Sequence, residues 1–386
     1  MRRPLFIADH SERLLCPLPL KIESYSGCSG RCAYCSRNGL RDPPGGVTTN
    51  RVQYIEKYFF RSGKGMEREL INQRSPIQIG PTSDPLQAAE KTHQNTLKVL
   101  KILRAREYPT VLTTKFPDVL CSPEYLRVLD GLPLVMQVSI SSADPDILRR
   151  LEPGVPSLPQ RLEAMAQLHE AGVHVQLRLW PYAPDLAGNV ADLLDGAKDA
   201  GVGTVLANPL KVYHNGTREG INRALGRDYI GTTSLDYVNG GLFSIMSLEE
   251  QRREMGALND LCRSLNMDML SCDDWPGSRN WRDCCGVGDL PGFKPSPWAY
   301  YVNGYRIQDH CSFGEYMRGL DCPWYDEFKQ EWEAGKLARA LPDVIFHSED
   351  ETYSRSPFTI CSETPQNRRD DSQDVQIQFA KITISA

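Results

Sequence analysis

Hydrophobic and polar positions follow two alternating periods between residues 76 and 208. Short β-rich runs are separated by longer stretches in which apolar residues recur every three or four positions, as in a helix with one buried face. Leu134 to Ile140 is nearly continuous in apolar residues, which is typical of a parallel strand covered on both faces. The pattern predicts strands at residues 76–80, 110–114, 134–140, 173–179 and 202–207, and helices at residues 86–106, 157–171 and 190–200.

The repeated order of strand and helix predicts a parallel sheet connected by right-handed crossovers. A further apolar run, Leu18 to Ile22, supplies a strand before the first repeat and brings the total to about six strand–helix units. We therefore predict an α/β fold, a partial (β/α)6 TIM-like barrel. In barrels of this kind the chemistry lies at the carboxyl ends of the strands.

The pattern changes after Asn208. Residues 213–241 are rich in Gly, Asn, Thr and Tyr and are predicted to form a loop, whereas Ser247 and Glu250 form a capping box that opens a helix reaching about Asn266. Residues 272–322 lack periodicity, and a short helix at 324–340 and a strand at 375–384 follow. We expect a catalytic core at 1–210 and an irregular C-terminal lid or substrate module at 211–386.

Composition narrows the class of protein. The chain has 386 residues, 12 cysteines and a formal net charge of −5. No apolar run reaches the roughly 20 residues of a membrane span, and the N-terminus lacks a signal-peptide pattern, so we expect a cytoplasmic protein without a membrane partner. In such a protein many cysteines indicate metal or redox chemistry rather than disulfides. The net charge excludes a global basic field, so any nucleic-acid contact must come from a local patch.

Three cysteines stand directly after the first predicted strand, in the spacing C-x3-C-x2-C: Cys28, Cys32 and Cys35. Closely spaced thiolates suit zinc or an iron–sulfur cluster. A structural zinc site takes four ligands, usually in two halves, and here no second half follows at a finger-sized distance. Three cysteines on four irons would leave one iron open to a small molecule. A zinc knuckle or a set of buried core thiols is the alternative.

The cysteine loop resembles the signature of radical S-adenosylmethionine (SAM) enzymes, and Tyr34 occupies the aromatic position beside the last cysteine. Further motifs follow in order, and together they are similar to the radical SAM branch around spore photoproduct lyase, a thymine-dimer repair enzyme. The resemblance spans roughly residues 20–210. The additional motifs are Gly80 to Pro85, Thr113 to Lys115, Ser139 to Ser141, Glu152 to Gly154 and Arg161 to Ala164.

The resemblance implies a set of cofactor contacts. Cys28, Cys32 and Cys35 would hold a [4Fe–4S] cluster whose open iron binds the amino and carboxylate groups of SAM. Lys115 would pair with the SAM carboxylate as a point charge. The other residues implied in cofactor binding are Tyr34, Ser83, Asp84, Ser139 and Ser141.

Arg178, at a predicted strand end, is a separate suggestion for a carboxylate or phosphate contact. Each of these assignments has a structural alternative. Lys115 and Arg178 could be solvated charges on the barrel rim, and Ser83 and Asp84 could cap the helix that follows them.

One position departs from the family pattern. In spore photoproduct lyase the residue before the Thr-Ser-Asp triplet is a cysteine that returns a hydrogen atom to the product radical. Here Pro81 stands at that position and has no labile hydrogen. The usual repair reaction is therefore in doubt, and a rearrangement is expected instead.

The resemblance thus implies reductive cleavage of SAM to a 5′-deoxyadenosyl radical, which abstracts hydrogen from a thymine-derived nucleotide in DNA. The expected reaction is isomerisation of a modified thymine, for example movement of glycine from a nitrogen to a carbon linkage in phage DNA. The alternatives are a repair lyase with a relocated hydrogen donor, a peptide- or metabolite-modifying radical SAM enzyme with an auxiliary cluster, and a non-catalytic metal-bearing nucleic-acid-binding protein. A flavodoxin- or ferredoxin-type protein is the expected electron donor.

The C-terminal region carries a second group of cysteines. They could hold an auxiliary iron–sulfur cluster, could be buried free thiols, or could form a zinc site with His310. Aromatic and basic residues alternate in the same region, from Trp275 to Arg306. They could stack on a nucleobase and bind phosphate, or they could form the core of an irregular domain. Cys16 and Cys121 are predicted to be core residues. The candidate auxiliary ligands are Cys272, Cys284, Cys285, Cys311 and Cys322.

Overall fold

The computed structural model of the chain describes residues 5–7, 18, 20–36, 46–60, 71, 74–214, 216–239, 243–271, 285–288 and 290–293. Within these ranges the protein is built on one eight-stranded sheet, with a three-stranded and a two-stranded sheet beside it. The strands are β1 (Leu5–Ile7), β2 (Leu20–Ile22), β3 (Tyr25–Ser26), β4 (Thr48–Thr49), β5 (Ile77–Ile79), β6 (Thr110–Thr114), β7 (Leu134–Ser139), β8 (His174–Tyr182), β9 (Thr204–Pro209), β10 (Val212–Tyr213), β11 (Tyr237–Asn239), β12 (Phe243–Met246) and β13 (Asp268–Leu270).

The large sheet confirms the predicted α/β architecture. Its order is β1-β2-β5-β6-β7-β8-β9-β13, and the sheet is open. Six of its strands are the six predicted from the sequence, and each pairs in parallel with the next. The carboxyl ends of these strands therefore meet along one edge, where the sequence motifs were expected to converge.

The helices cover the outer face of the sheet. Two predicted helices form almost as expected, and Ser157 caps the first of them through a capping box with Gln160. Ser247 likewise accepts a hydrogen bond from the amide of Glu250 at the start of the long C-terminal helix. The helices are α1 (Ile55–Phe60), α2 (Glu90–His93), α3 (Asn95–Arg104), α4 (Pro123–Leu129), α5 (Pro145–Leu151), α6 (Leu158–Glu170), α7 (Val190–Asp199), α8 (Thr217–Leu225), α9 (Tyr229–Thr232) and α10 (Leu248–Ser264), with 3-10 turns at Val52–Tyr54 and Pro117–Cys121.

The helix predicted at residues 86–106 is broken. Gln94 adopts a left-handed conformation, with φ of 50°, and separates α2 from α3. The break lets the buried Glu90 carboxylate accept hydrogen bonds from the amides of Thr96 and Leu97, both at 2.9 Å, at the start of α3. A buried acid at a helix N-terminus satisfies amides that would otherwise have no partner.

The prediction of a loop at residues 213–241 is wrong. The segment contains α8, α9 and β11, and β11 pairs with β12. The glycines that suggested a loop are helix caps: Gly216 and Gly226 have positive φ and flank α8. Apolar side chains from this segment bury against the ends of the barrel strands, and this packing outweighs the polar composition. The cluster comprises Leu151, Ala183, Leu186, Leu210, Val212, Ile221, Leu225 and Tyr229.

The two faces of the sheet differ in character. The outer face packs on the helices through the main apolar core, whereas the inner face carries a chain of hydrogen bonds that crosses β2, β5, β6, β7 and β8. The last amide in this chain donates to the carbonyl of Gly286 at 3.1 Å. The inner-face side chains are Lys21, Gln78, Thr113, Gln137 and Gln176.

Residues from the C-terminal region enter the inner face. Cys285 is 3% exposed and packs in a small apolar cluster with Leu18, Val111, Val135, Val287 and Phe293. The thiol of Cys285 is therefore surrounded by apolar side chains, as the buried-thiol alternative expects. The other candidate auxiliary ligands, Cys16, the aromatic and basic set from Trp275 to Arg306, and the elements predicted at 324–340 and 375–384 lie outside the described residues.

The proposed division of the chain at residue 210 stays a prediction. Residues beyond it contribute directly to the main sheet, because β13 pairs in parallel with Thr204–Leu206 of β9. None of the helices in the described ranges combines the length and the hydrophobicity that a membrane crossing requires.

Replacement of Glu90 by alanine is expected to destabilise the fold strongly. The buried carboxylate accepts two helix amides and the hydroxyls of Tyr125, at 2.6 Å, and Tyr25. Its loss leaves four buried donors unsatisfied, so we expect Glu90→Ala to lower the free energy of unfolding by about 3 kcal/mol or more. Denaturant titration checks this, with the exposed Glu163→Ala as control. A loss below about 1 kcal/mol would contradict the capping role.

Candidate active site

The cysteine loop follows β2 and β3 at the carboxyl edge of the sheet. Cys28, Cys32 and Cys35 are free thiols, and all three are partly buried. The loop bends through two residues with positive φ, Gly27 at 81° and Arg31 at 49°. Such a conformation suits glycine at the first position and carries strain at the second.

The three sulfurs face one another closely enough to interact. A Cβ added to Gly30 would lie 3.5 Å from Cys28 Sγ and 3.7 Å from Cys32 Sγ, so both thiols border the same side of the loop. Burial is the main cause that raises the pKa of Cys32, and the charges of Cys28 and Cys35 add to it. The spacing therefore produces a local group of three thiols, as the sequence predicts.

Two neighbouring segments clamp this loop. On one side the side chain of Gln87, which is fully buried, accepts from the amide of Ser29 at 2.8 Å and donates to the carbonyl of Gly27 at 3.0 Å. On the other side, the amide of Ala33 donates to the carbonyl of Leu151 at 2.8 Å. Gly154 approaches so closely that an added Cβ would lie 2.4 Å from the carbonyl oxygen of Ser29.

Glu152 is the hub of the polar contacts beside the loop. Its carboxylate accepts hydrogen bonds from the hydroxyl of Tyr34 and from Ser141 Oγ, the latter at 2.8 Å. It forms ion pairs with Arg161 Nη2 at 2.6 Å and with Lys115 Nζ at 3.4 Å. The Lys115 ammonium also lies 5.5 Å from the centre of the Tyr34 ring. Three predicted cofactor-site residues, Tyr34, Lys115 and Ser141, thus meet at one buried carboxylate.

The electrostatics keep Glu152 ionised. Burial by itself raises the pKa of this carboxyl, but the charges of Lys115 and Arg161, together with hydrogen bonds from Tyr34 and Ser141, outweigh burial and lower the pKa to about 2. The group is therefore a fixed anion between two cations at any pH near neutrality.

The donor set fits a cationic iron–sulfur cluster. Burial, followed by the charge of Asp84, raises the pKa of Cys28 to about 11, and burial also raises the pKa of Cys32. Thiols of this basicity ionise at neutral pH only when a cation binds them, and metal coordination removes such a proton. Within the described residues no three His, Cys, Asp or Glu side chains converge on a single ion. A multi-iron cluster does not need such convergence, because different irons carry the thiolates.

Ser83 and Asp84 lie at the predicted edge, but their side chains are engaged with the protein. Ser83 Oγ lies 2.6 Å from Glu23 Oε2 and 2.8 Å from the carbonyl oxygen of Tyr25. The Asp84 carboxylate accepts from Thr114 Oγ1 at 2.6 Å and from the amide of Lys115 at 2.6 Å. These residues therefore tie neighbouring strand ends together, and their contact with SAM stays a prediction.

Ser139 and Arg178 lie side by side on β7 and β8. The carbonyl of Ser139 accepts from Arg161 Nη1 at 2.8 Å, and Ser139 itself is 5% exposed. The guanidinium of Arg178 donates to Gln137 Oε1 at 3.1 Å and stacks on Trp180, 3.7 Å from the ring centre. The prediction that Arg178 lies at a strand end is wrong, because β8 continues to Tyr182 and places Arg178 in its middle. Its side chain contacts Gln137 and Trp180.

An apolar cleft opens beside Tyr34 and Ser141. It lies at the carboxyl ends of β7, β8 and β9, next to the cysteine loop. Its other lining residues include Leu151, Pro181, Leu186 and Ile221.

Sequence reasoning missed the residues that organise the site. Glu152 and Arg161 were noticed only inside motifs of the resemblance, and neither was given a role. No pattern in the sequence marked Glu23 or Gln87 as part of the site. The detectable sign was an acidic residue at the end of one helix and an arginine in the first turn of the next, but the sequence does not show that the two are buried together.

Comparisons with known proteins agree with the fold. A single-site mutant of spore photoproduct lyase superposes with a TM-score of 0.50 over 70% of this chain and 80% of its own, at 15% identity. A double mutant of the same enzyme, with bound AdoMet and dinucleoside spore photoproduct, gives a TM-score of 0.49 over 65% and 76%, at 16% identity. The likeness to the single-site mutant, at 15% identity, establishes the fold alone.

Three curated mycobacterial proteins, each named as an uncharacterized protein, match this chain at 26% identity over 176 residues. They come from Mycobacterium bovis and from two strains of Mycobacterium tuberculosis. The match covers 44% of this chain and 51% of theirs, so the chain spans about half the length of the curated relatives it matches. No protein-family model matches the chain.

Replacement of Gly154 by alanine is expected to lower the iron content of the purified protein. The new methyl group would lie 2.4 Å from the Ser29 carbonyl oxygen and would push the cysteine loop away from its clamp. Iron and sulfide analysis after anaerobic reconstitution measures the effect, and we expect at least about a twofold loss. Gly203→Ala is the matched control, because nothing lies within 4 Å of its added Cβ. Equal iron in the two variants would show that the contact does not position the loop.

Proposed function

We propose, from the premise that the chain has the radical SAM fold of spore photoproduct lyase, that it is a radical SAM enzyme. The observation that carries the proposal is the group of three thiols at the carboxyl edge of an open parallel barrel, beside the Lys115–Glu152–Arg161 charges. Barrel enzymes hold their chemistry at this edge. A zinc knuckle would need a fourth ligand, and the three described thiols do not converge on one ion with any His, Asp or Glu of the described residues.

The residues divide into distinct tasks. Cys28, Cys32 and Cys35 would hold the [4Fe–4S] cluster, and the Lys115 ammonium would pair with the carboxylate of SAM. The chemistry supplied by a bound cluster and SAM is reductive cleavage of SAM to methionine and a 5′-deoxyadenosyl radical, which takes a hydrogen atom from the substrate. We propose a flavodoxin- or ferredoxin-type protein as the source of the electron.

For the substrate we propose a thymine-derived nucleotide in DNA, and for the reaction a rearrangement rather than repair. Pro81 supports this choice, because it occupies the position of the hydrogen-donating cysteine of spore photoproduct lyase and has no hydrogen to return. The other described cysteines pack elsewhere: Cys121 beside Ala164, Cys262 in the main core and Cys285 among apolar side chains on the inner face. An isomerisation such as the movement of glycine on a modified thymine needs no external hydrogen donor, because the abstracted atom can be returned.

The first test is the cleavage of SAM. Anaerobically reconstituted protein with dithionite and SAM is expected to form 5′-deoxyadenosine and methionine, measured by chromatography and mass spectrometry. Cys32→Ala removes a cluster ligand and is expected to reduce the product to background, whereas Cys121→Ala is the cysteine control. A colourless protein that holds zinc, or 5′-deoxyadenosine formation unaffected by Cys32→Ala, would contradict the proposal.

The second test concerns the substrate. DNA with glycine-modified thymidine is offered to the protein beside DNA with spore photoproduct, and the nucleosides are separated by mass and retention time. We expect an isomer of unchanged mass from the first, with deuterium from a labelled substrate recovered in 5′-deoxyadenosine, and no change in the second. Reversion of spore photoproduct to thymines would favour the repair lyase instead and would require another hydrogen donor than residue 81.

A further inference from the structure

Two cations share one carboxylate, Glu152, beside the cysteine loop. One carboxylate faces two cations, Lys115 and Arg161, and it also accepts hydrogen bonds from Tyr34 and Ser141. A second carboxyl, Asp84, accepts from the amide of Lys115 at 2.6 Å. Two cations that share the Glu152 carboxylate can still form a charge-assisted contact with a further anion.

The two cations are not equivalent. Arg161 Nη2 lies 2.6 Å from Glu152 and its side chain is fully buried, whereas Lys115 Nζ lies 3.4 Å away and its side chain is 15% exposed. Arg161 is also fixed by its hydrogen bonds to the carbonyls of Ser139 and Pro156, both at 2.8 Å. The short, fully buried contact with Arg161 therefore neutralises Glu152 more completely than the longer contact with the more exposed Lys115 does.

Within the part of the chain that the structure describes, the Lys115 ammonium keeps donors beyond the one that its ion pair with Glu152 uses. An ammonium carries three donors, and the Glu152 ion pair at 3.4 Å uses at most one of them. Its position over the Tyr34 ring directs it towards the cysteine loop rather than to solvent. A carboxylate arriving from the loop side would therefore meet an ammonium whose place is set by Glu152.

We propose that Glu152 is a positioning residue that holds the Lys115 ammonium for the carboxylate of SAM, while Arg161 cancels the repulsion between the two carboxylates. This inference rests on the proposed function and adds to it the source of selectivity for a ligand with a carboxylate. Without the charge of Glu152, the two cations repel each other. Arg161 is enclosed and stays, so Lys115, the more exposed of the two, turns to solvent and the carboxylate loses its partner.

The experiment compares two ligands that differ in one group. Equilibrium binding of SAM and of decarboxylated SAM is measured on the reconstituted, cluster-bearing protein under anaerobic conditions. The wild type is expected to prefer SAM. Glu152→Gln keeps the shape of the side chain, and we expect it to weaken SAM binding about tenfold and to change binding of decarboxylated SAM by less than about twofold.

Further variants assign the effect to Lys115. Lys115→Met is expected to abolish the preference for SAM, and Glu152→Gln added to Lys115→Met is expected to cost nothing more, because both act through one contact. Glu163→Gln on the exposed face of α6 is the matched control. Since removal of a buried charge can unfold the protein, Glu152→Asp is measured as well, and it is expected to lose part of the preference.

The outcomes separate this inference from the proposed function. If Glu152→Gln weakens both ligands equally, or if Glu152→Asp keeps the full preference for SAM, Glu152 does not position Lys115, although the protein still binds SAM. A wild type that binds neither ligand overturns the inference and the proposed function together.

Discussion

The ion pair between Glu152 and Arg161 is the interaction on which the candidate site depends. Both side chains are fully buried, and their oxygen and nitrogen lie 2.6 Å apart. Loss of one partner would leave a buried charge uncompensated, at a cost of about 3–5 kcal/mol. The pair joins the end of α5 to the start of α6, and through Tyr34 and Lys115 it reaches the cysteine loop and the end of β6.

Two further carboxylates repeat this construction along the edge of the sheet. Glu23, after β2, accepts hydrogen bonds from the amides and hydroxyls of Thr82 and Ser83, after β5. Asp84 in turn accepts from Thr114 and Lys115, at the end of β6. Burial raises the pKa of Glu23 and of Asp84, and the hydrogen bonds that they accept offset only part of this rise. A row of acidic residues therefore ties each strand end to the next and fixes the loops where chemistry is expected.

This arrangement changes the interpretation of the family motifs. Ser83, Asp84 and Ser141 were assigned to the cofactor because of their place in the motifs, yet each of their side chains makes a structural contact within the edge. A residue that holds a loop in place and a residue that touches SAM need not be different residues. Lys115 differs from them, because among the described residues its side-chain ammonium is engaged by one long ion pair, with Glu152 at 3.4 Å.

The sequence by itself determined the six parallel strands, their order and the three thiols after the first of them. The period of hydrophobic residues and the spacing of cysteines are local properties, because both can be read within a short segment of the sequence. Only the tertiary structure decided the break at Gln94, the helix at Thr217–Leu225, the extra strand at Asp268–Leu270 and the role of Glu152. In each case a contact between distant segments contributes, as for Tyr25 and Glu90, 65 residues apart, and for Tyr34 and Glu152, 118 residues apart. No local pattern of residues records such a contact, because burial and hydrogen-bond partners arise only when the strand ends meet.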